Sequence, residues 1–321
     1  MTLVSIAVVA HNNWPDLELA IESALGQSWQ ATEVIVVDNE STDDTPSQVG
    51  NRFGDRVRYF RQKNTLDGGG YNRGIAESLG EFVQLLDGDD LLAPNKIARQ
   101  MEVFLENPDA GIVYGDTRQF QGQPGRPEWS DWTTGPHDDM LATLLDPAGE
   151  GAGLVPHAAL FRRSVFDEVG PWDESLFGAD LDYWLRAASS GIKFVYSPEA
   201  WCFHRRRPAQ MSADRAAMVN RTITTLDKAL GYIDREPYRS MAKRRLAGLK
   251  YGAATTDLRL DRSGALESLR SARDLDPTRI SAVPYALAYA AISIPGVRQL
   301  VKASPLTGPR RAIARALHVL D

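Results

Sequence analysis

The sequence predicts an α/β fold, a mostly parallel central sheet with flanking helices, followed by an α-helical C-terminal region. Three observations carry this. The first hundred residues alternate β-branched apolar runs with helically spaced segments, and a repeat of about thirty residues is the rhythm of right-handed βαβ units. Polar clusters fall at the carboxyl ends of those runs, where the ligands of parallel sheets bind. From about residue 213 onward strand signals stop and helical periodicity persists. The chain therefore reads as a sheet domain, 1–213, and a helical domain or tail, 214–321, two domains of ordinary size.

Each element follows from its residues. Val4-Ser5-Ile6-Ala7-Val8-Val9 is apolar and β-branched, as a strand buried on both faces requires. Asn13 or Trp14 then sits at a helix cap with Pro15 just inside. Leu17, Ala20, Ile21, Ala24 and Leu25 recur at helical spacing until Gly26, a helix stop. Glu33 to Asp38, Val57 to Phe60 and Phe82 to Asp87 are expected as further strands, and Gly74 to Leu79 as a short helix. Residues 117 to 153, with the Gly/Pro-rich run from Gln121 to Pro127 and with Trp129 and Trp132, read as one long loop. Arg215 to Ile233, Arg239 to Ala253 and Gly264 to Leu275 are expected as successive helices, the third ended by Asp276-Pro277. Ile280 to Val297 is uncharged, but Pro284 and Pro295 interrupt it. A transmembrane span is therefore not expected; a buried hairpin helix is, or one lying in a membrane interface.

At 43% hydrophobic and 24% charged, the chain has the composition of a soluble globular protein. Cys202 is the single cysteine, so no internal disulfide forms. No basic run follows Met1, which argues against a signal peptide and for a cytoplasmic location. The net charge of −6 conceals an asymmetry. Residues 1 to 200 hold 14 Lys+Arg and 32 Asp+Glu, a net of −18, whereas 201 to 321 hold 22 and 10, a net of +12. The acidic body excludes nucleic acid. The basic tail, which closes with Pro309 to Leu317, is expected to dock on that body, on anionic lipid as a peripheral membrane contact, or on both; homo-oligomerisation through the helical region stays open.

Chemistry concentrates at Asp87-Gly88-Asp89-Asp90, directly after an apolar strand. Carboxylates so placed repel one another unless a cation or a hydrogen-bond network compensates. A hard divalent ion takes oxygen ligands and completes its shell with water and phosphate. A charged turn ahead of Leu91-Leu92-Ala93-Pro94 is the other reading.

The runs Val4 to Asn12, Val34 to Thr45 and Gly80 to Asp90 closely resemble the family-2 glycosyltransferases of the GT-A fold, bacterial type. The resemblance covers residues 3 to about 213, with its motifs in the family's order. It implies single-displacement transfer, with inversion, from a nucleotide-sugar donor to a saccharide or lipid-linked acceptor. A UDP-sugar is favoured, and Mn2+ or Mg2+ is implied. Ala10, His11 and Asn12 would border the nucleobase, with Ser41 beside them. Asp38 would accept from a ring N–H, unless it caps a helix. Asp87 and Gly88 would contact ribose or sugar. Asp89 would hold the metal, with Asp87 and His204 as further ligands, and Asp90 would stand behind them or cap a helix.

Gly69 and Gly70 would bring backbone N–H groups to the donor, or form a turn. Asn72 matches the family's Arg-Asn-x-Gly, and Tyr71 replaces its arginine. Asp180 would be the base that deprotonates the acceptor hydroxyl, with Asp182 as the alternate and Ala179 in place of a usual Glu. In Trp201 to Ser212, His204 or Arg207 would fill the metal or diphosphate position. Asp116, His157 and Trp132 would line the acceptor side, Trp129 and Trp132 stacking on sugar or packing a loop. A nucleotidyltransferase would need a Gly-rich loop with Lys or Arg after the first strand, which Ala10 to Trp14 lacks. Asp38, Asp87, Asp89 and Asp180 oppose a non-catalytic nucleotide-sugar-binding subunit.

Overall fold

Burial of the first strand on both faces organises the N-terminal half. The computed structural model describes residues 1–121, 128–132, 135–146, 154–176, 178–207, 214–256 and 260–293. By internal contacts the chain forms two units, Met1–Leu144 with Glu150–Gln210, and Leu145–Gly149 with Met211–Asp321.

The first unit opens with β1 (Val4–Ala10), α1 (Asp16–Leu25), β2 (Thr32–Asn39), α2 (Thr45–Phe53), β3 (Arg58–Gln62), α3 (Leu66–Glu77) and β4 (Phe82–Asp87). It continues with β5 (Leu91–Leu92), α4 (Lys96–Glu106), β6 (Ile112–Tyr114), β7 (Thr117–Gln121), β8 (Glu128–Trp132) and α5 (Met140–Leu145). β9 (Ala159–Arg162), α6 (Ser164–Val169), α7 (Asp180–Ser189), β10 (Phe194–Tyr196) and β11 (Cys202–Arg205) complete it. Seven strands form the main sheet in the order β10-β6-β9-β4-β1-β2-β3. All its pairs are parallel except those of β9, which runs antiparallel between β4 and β6. All seven residues of β1 are buried. Its one polar residue, Ser5, donates from Oγ to Glu33 Oε1 at 2.6 Å, so the apolar run has a satisfied interior.

Two departures from the sequence reading have clear causes. The helix expected from Gly74 begins at Leu66 and runs through Gly68-Gly69-Gly70. Glycine is a poor helix former, but this helix lies on β1 at backbone distance. A Cβ on Gly74 would meet Ala7 Cβ at 2.6 Å, and one on Gly70 would meet Val9 Cγ1 at 2.3 Å. Gly74→Ala should therefore destabilise the protein by about 1–2 kcal/mol, overpacking outweighing the gain in helix propensity. A urea midpoint at or above wild type would refute this.

The long loop expected over 117 to 153 instead contains a hairpin and α5. β7 pairs antiparallel with β8 from Thr117↔Trp132 to Gln121↔Glu128. Its other edge pairs with β11, some eighty residues away, in parallel (Cys202↔Thr117 to Arg205↔Phe120). A strand supported by so distant a partner carries little local pattern. The small sheet it joins has the order β5-β11-β7-β8.

The second unit is helical: α8 (Arg215–Ala229), α9 (Tyr238–Thr256), α10 (Arg262–Leu275) and α11 (Ala282–Ser293). Asp214 and Asp261 cap α8 and α10, accepting from Ala217 N at 3.0 Å and Gly264 N at 2.7 Å. Ala247, Tyr251, Ala265, Leu269, Ile280, Ala288 and Ile292 share one core. α11 tolerates Pro284 because a first-turn residue has no intrahelical N–H bond to lose. No helix among the described residues is long and apolar enough to cross a membrane. The basic run from Pro309 to Leu317 lies outside the described residues.

Candidate functional site

The carboxyl ends of β1, β2 and β4 converge, and the acidic run after β4 is wedged among them. Gly88 N donates to Val9 O at 2.8 Å, and a Cβ there would meet Asn13 Nδ2 at 2.4 Å. The β5–β11 pairing (Phe203↔Leu91) then carries His204 up to Asp90. His204 Nδ1 lies 3.1 Å from Asp90 Oδ2, and Arg205 N donates to Asp90 Oδ1 at 2.7 Å.

His157 enters from the short turn Pro156–Ala158. Its ring is wholly buried, 3.3 Å from Asp90 Oδ2 and 3.6 Å from Asp87 Oδ2. It stacks on His204 with centroids 5.7 Å apart. Tyr71, from α3, donates its hydroxyl to Asp87 Oδ1. Arg207 lies 3.6 Å from Asp89 Oδ2 and pairs with Asp16 as well. Each carboxylate thus meets a different surrounding. Asp90 is buried between two imidazoles, Asp87 is held by Tyr71 and His157, and Asp89 remains 34% exposed.

The electrostatics follow. Burial, then the Asp90 and Asp87 carboxylates, push Asp89 up to about 7 against the pull of Arg207 and His204. Burial alone would raise Asp90, but His157 and His204 outweigh it and hold that carboxyl below its usual range. Burial would depress His157, yet Asp90 first among its neighbours raises it well above the ordinary imidazole value. Neither ring nitrogen of His157 makes a hydrogen bond among the described residues. Buried imidazole nitrogens that face carboxylates without a well-formed hydrogen bond are a donor set suited to a divalent cation. Donor atoms of Asp90, His157 and His204 all lie within 4.8 Å of one another.

The Asp89 shift has a testable sign. The folded state keeps a proton that the unfolded carboxyl releases near 3.8, so this group's contribution to stability declines as pH rises through about 7. A cation competes with the same proton. If the cluster takes the divalent ion proposed below, affinity for Mn2+ should rise with pH through about 7 and continue to rise beyond it, because His157, held protonated well above the ordinary imidazole range, must release its proton too; calorimetric titration giving a flat profile would exclude this.

The structure redistributes several residues singled out above. Asp38 is wholly buried, accepting from Ser41 N at 2.8 Å and Tyr59 Oη at 2.5 Å, with Arg61 Nε at 3.6 Å. Both oxygens have internal donors, so Asp38 fixes the loop after β2. Ala10, buried at the end of β1, pairs with Asp38 in register. His11 is exposed, its Nδ1 2.6 Å from Asn39 O. Asn12 accepts at Oδ1 from Thr42 N at 2.7 Å, and its N–H donates to Ser41 Oγ at 2.9 Å. These bonds stitch the loops after β1 and β2 together. Asn12 has φ +49°, a left-handed conformation that Asn accepts.

Gly69 and Gly70 lie inside α3 and permit packing, not an anion nest. Asn72 clamps the segment after α6, donating to Trp172 O and Glu174 Oε1 at 2.9 Å and accepting from Trp172 N at 2.8 Å. His157, assigned to the acceptor side, joins the carboxylate cluster instead. Beside the expected metal set of Asp87, Asp89 and His204, the backbone puts Asp90 between the two histidines. Asp116 is buried beneath the surface and accepts from Tyr196 Oη and from Gly135 N. Trp132 ends β8, and its side chain lies outside the described residues.

α7 begins at Asp180, which is partly exposed. Asp182 is fully buried and takes Arg186 Nε at 2.9 Å. Arg186 also donates to Val169 O and Pro171 O, each at 2.8 Å. Asp182 is therefore an internal counter-ion, too enclosed to serve as the alternate base. Sequence reasoning missed Tyr71 as the partner of Asp87 and Arg205 as a brace for Asp89 O, to which its Nε donates at 2.9 Å. The replaced arginine at 71 was the one local sign of the first; nothing local marks the second.

A mostly parallel sheet with an Asp-x-Asp run at the carboxyl end of its fourth strand defines a GT-A domain. The chain belongs to glycosyl transferase family 2, whose sequence model matches residues 5–170. It is 31% identical over 191 residues to an uncharacterized glycosyltransferase of Rickettsia typhi, covering 57% of this chain and 58% of that one. It is 26% identical over 262 residues to an uncharacterized protein of Mycobacterium tuberculosis, covering 77% and 80%. Thus it spans somewhat over half of the Rickettsia typhi relative's length, 58%.

Among solved structures, S. aureus TarS 1-349 in complex with UDP-GlcNAc superposes with TM-score 0.64 at 16% identity, covering 93% of this chain and 90% of that one. The mannosyltransferase PcManGT from Pyrobaculum calidifontis, in complex with GDP-Man and Mn2+, superposes with TM-score 0.56 at 18% identity, covering 99% and 86%. At such identities these two structures establish the fold alone.

Proposed function

We propose that this chain transfers a sugar, with inversion, from a nucleotide-diphosphate sugar to a hydroxyl of a saccharide or lipid-linked acceptor, aided by Mn2+ or Mg2+. The observation that carries this is the cluster of Asp87, Asp89 and Asp90 with His157, His204 and Arg207 at the end of β4. Asp89 and His204 would hold the cation, with Asp90 and His157 packed behind them. Mixed nitrogen and oxygen donors suit Mn2+ better than Mg2+. When bound, the ion supplies positive charge against the diphosphate leaving group.

The remaining roles belong to protein groups. Asp90 fixes the His204 ring as a carboxylate fixes a metal-ligating imidazole. Arg207 offers a guanidinium suited to phosphate. Asp180, at the start of α7, takes the acceptor proton as the hydroxyl attacks the anomeric carbon. The UDP-GlcNAc of the TarS complex and the GDP-Man and Mn2+ of the PcManGT complex support a nucleotide-sugar donor and a divalent ion. UDP-sugars remain our first choice.

Thermal-shift titration with UDP- and GDP-sugars, with and without Mn2+, followed by donor hydrolysis, tests the reading. A ligand at about 100 times its Kd stabilises by about 2.7 kcal/mol. If no sugar nucleotide shifts the transition and none turns over, the proposal fails.

A further inference from the structure

Beneath the carboxylate cluster lies a buried cation without a carboxylate. Lys96, at the start of α4, is fully buried. Its Nζ donates to Gln84 Oε1 and Gln100 Oε1, each at 2.6 Å, and it pairs with no carboxylate among the described residues. Burying an ammonium on two neutral acceptors is unfavourable, and burial pushes this lysine down to about 7. An apolar side chain of the same length would fill the space at less cost. The two glutamines show what the lysine does.

The β4–β9 ladder reaches only Gln84↔Leu160. Beyond it, backbone donors meet the carbonyls of the buried 156–158 turn only in part, Ala158 O accepting from Gly115 N at 3.0 Å, and buried carbonyls need donors. Gln84 Nε2 supplies one to His157 O at 3.1 Å and one to Leu85 O at 2.6 Å. Gln100 Nε2 donates to Ala158 O at 2.9 Å and to Val113 O at 2.8 Å. A carboxamide is nearly symmetric in shape, so something must tell its oxygen from its nitrogen. Lys96 does this for both: by donating to each Oε1 it turns each NH2 toward the turn that carries His157. Both glutamines then have their oxygen and both N–H groups engaged, and well-satisfied buried polar groups specify a single arrangement.

We infer that Lys96, through Gln84 and Gln100, is a positioning residue that holds His157 in register with Asp87 and Asp90. The binding arm of its test rests on the proposed cation site; the spectroscopic arm does not. The variants are Lys96→Met, which keeps the stem and removes the donor, and Gln84→Met as a second, independent break. Met101→Ala is the control: it truncates the same helix where it packs with Ile97 and Phe104 and removes no donor or acceptor of the clamp. Histidine labelled with 13C at Cε1 gives signals from five imidazoles, that of His157 being identified by its loss in His157→Gln.

Both clamp variants should move the His157 and His204 signals and weaken Mn2+-dependent UDP binding at least about tenfold, equivalent to about 1.4 kcal/mol. Met101→Ala should lower Tm while leaving signals and affinity as in wild type. If the clamp variants lower Tm but change neither signal nor affinity, the network is merely structural and the inference is overturned. If wild type binds no UDP with Mn2+ while the clamp variants still move His157, the cation site is refuted and the clamp stands.

Discussion

Asp89→Ala should cut metal-dependent transfer by about 10²–10³-fold while leaving the fold intact, the loss typical of removing one preorganised electrostatic group. Asp89 is the exposed member of its cluster, at 34%, so its removal strands no buried charge. Arg207 keeps its pairing with Asp16. The truncation also relieves the burial and the repulsion from Asp90 and Asp87 that together hold the Asp89 carboxyl near 7. In EDTA its Tm should equal or exceed that of wild type. Initial rates over an Mn2+ titration, paired with thermal unfolding, decide the matter. A variant that transfers within about tenfold of wild type (about 1.4 kcal/mol) would remove Asp89 from the centre of the reaction.

The second large effect separates two carboxylates that look alike in the sequence. Asp180→Asn should lower kcat by about 10²–10⁴-fold, the contribution of a positioned base, and leave donor KM and Tm near wild type. Asp182→Asn should act on the fold instead. Asp182 is buried and bonded to Arg186 at 2.9 Å, and removing one partner of a buried pair costs about 3–5 kcal/mol. That is a large share of the usual 5–15 kcal/mol of domain stability. Rate and melting measurements on both variants should therefore give opposite signatures. A fully active Asp180→Asn would return the base to some other group.

Much of this fold is legible in local pattern. β1, β2 and β4 are unbroken apolar runs between polar clusters, and the helices near 215, 239 and 264 show their periodicity. β7 and β8 were not legible, because β7 gains its support from β11. The helix at Leu66–Glu77 was obscured by glycines whose purpose is contact with Ala7 and Val9. At the site, the acidic run could be read because a strand end followed by three carboxylates is a local fact.

By itself, then, the sequence determined the alternating class of the fold, the family motifs and the place of the acidic cluster, since each depends on neighbours within a few residues. Only the tertiary structure decided which groups answer that cluster. Asp90 meets His157 and His204 across 67 and 114 residues, through the pairing of β5 with β11 and the turn ahead of β9. It also decided that Asp38 and Asp182 face inward while Asp89 and Asp180 keep exposed surface. Burial and long-range strand register set the charge and reach of a side chain, and neither is written in the residues beside it.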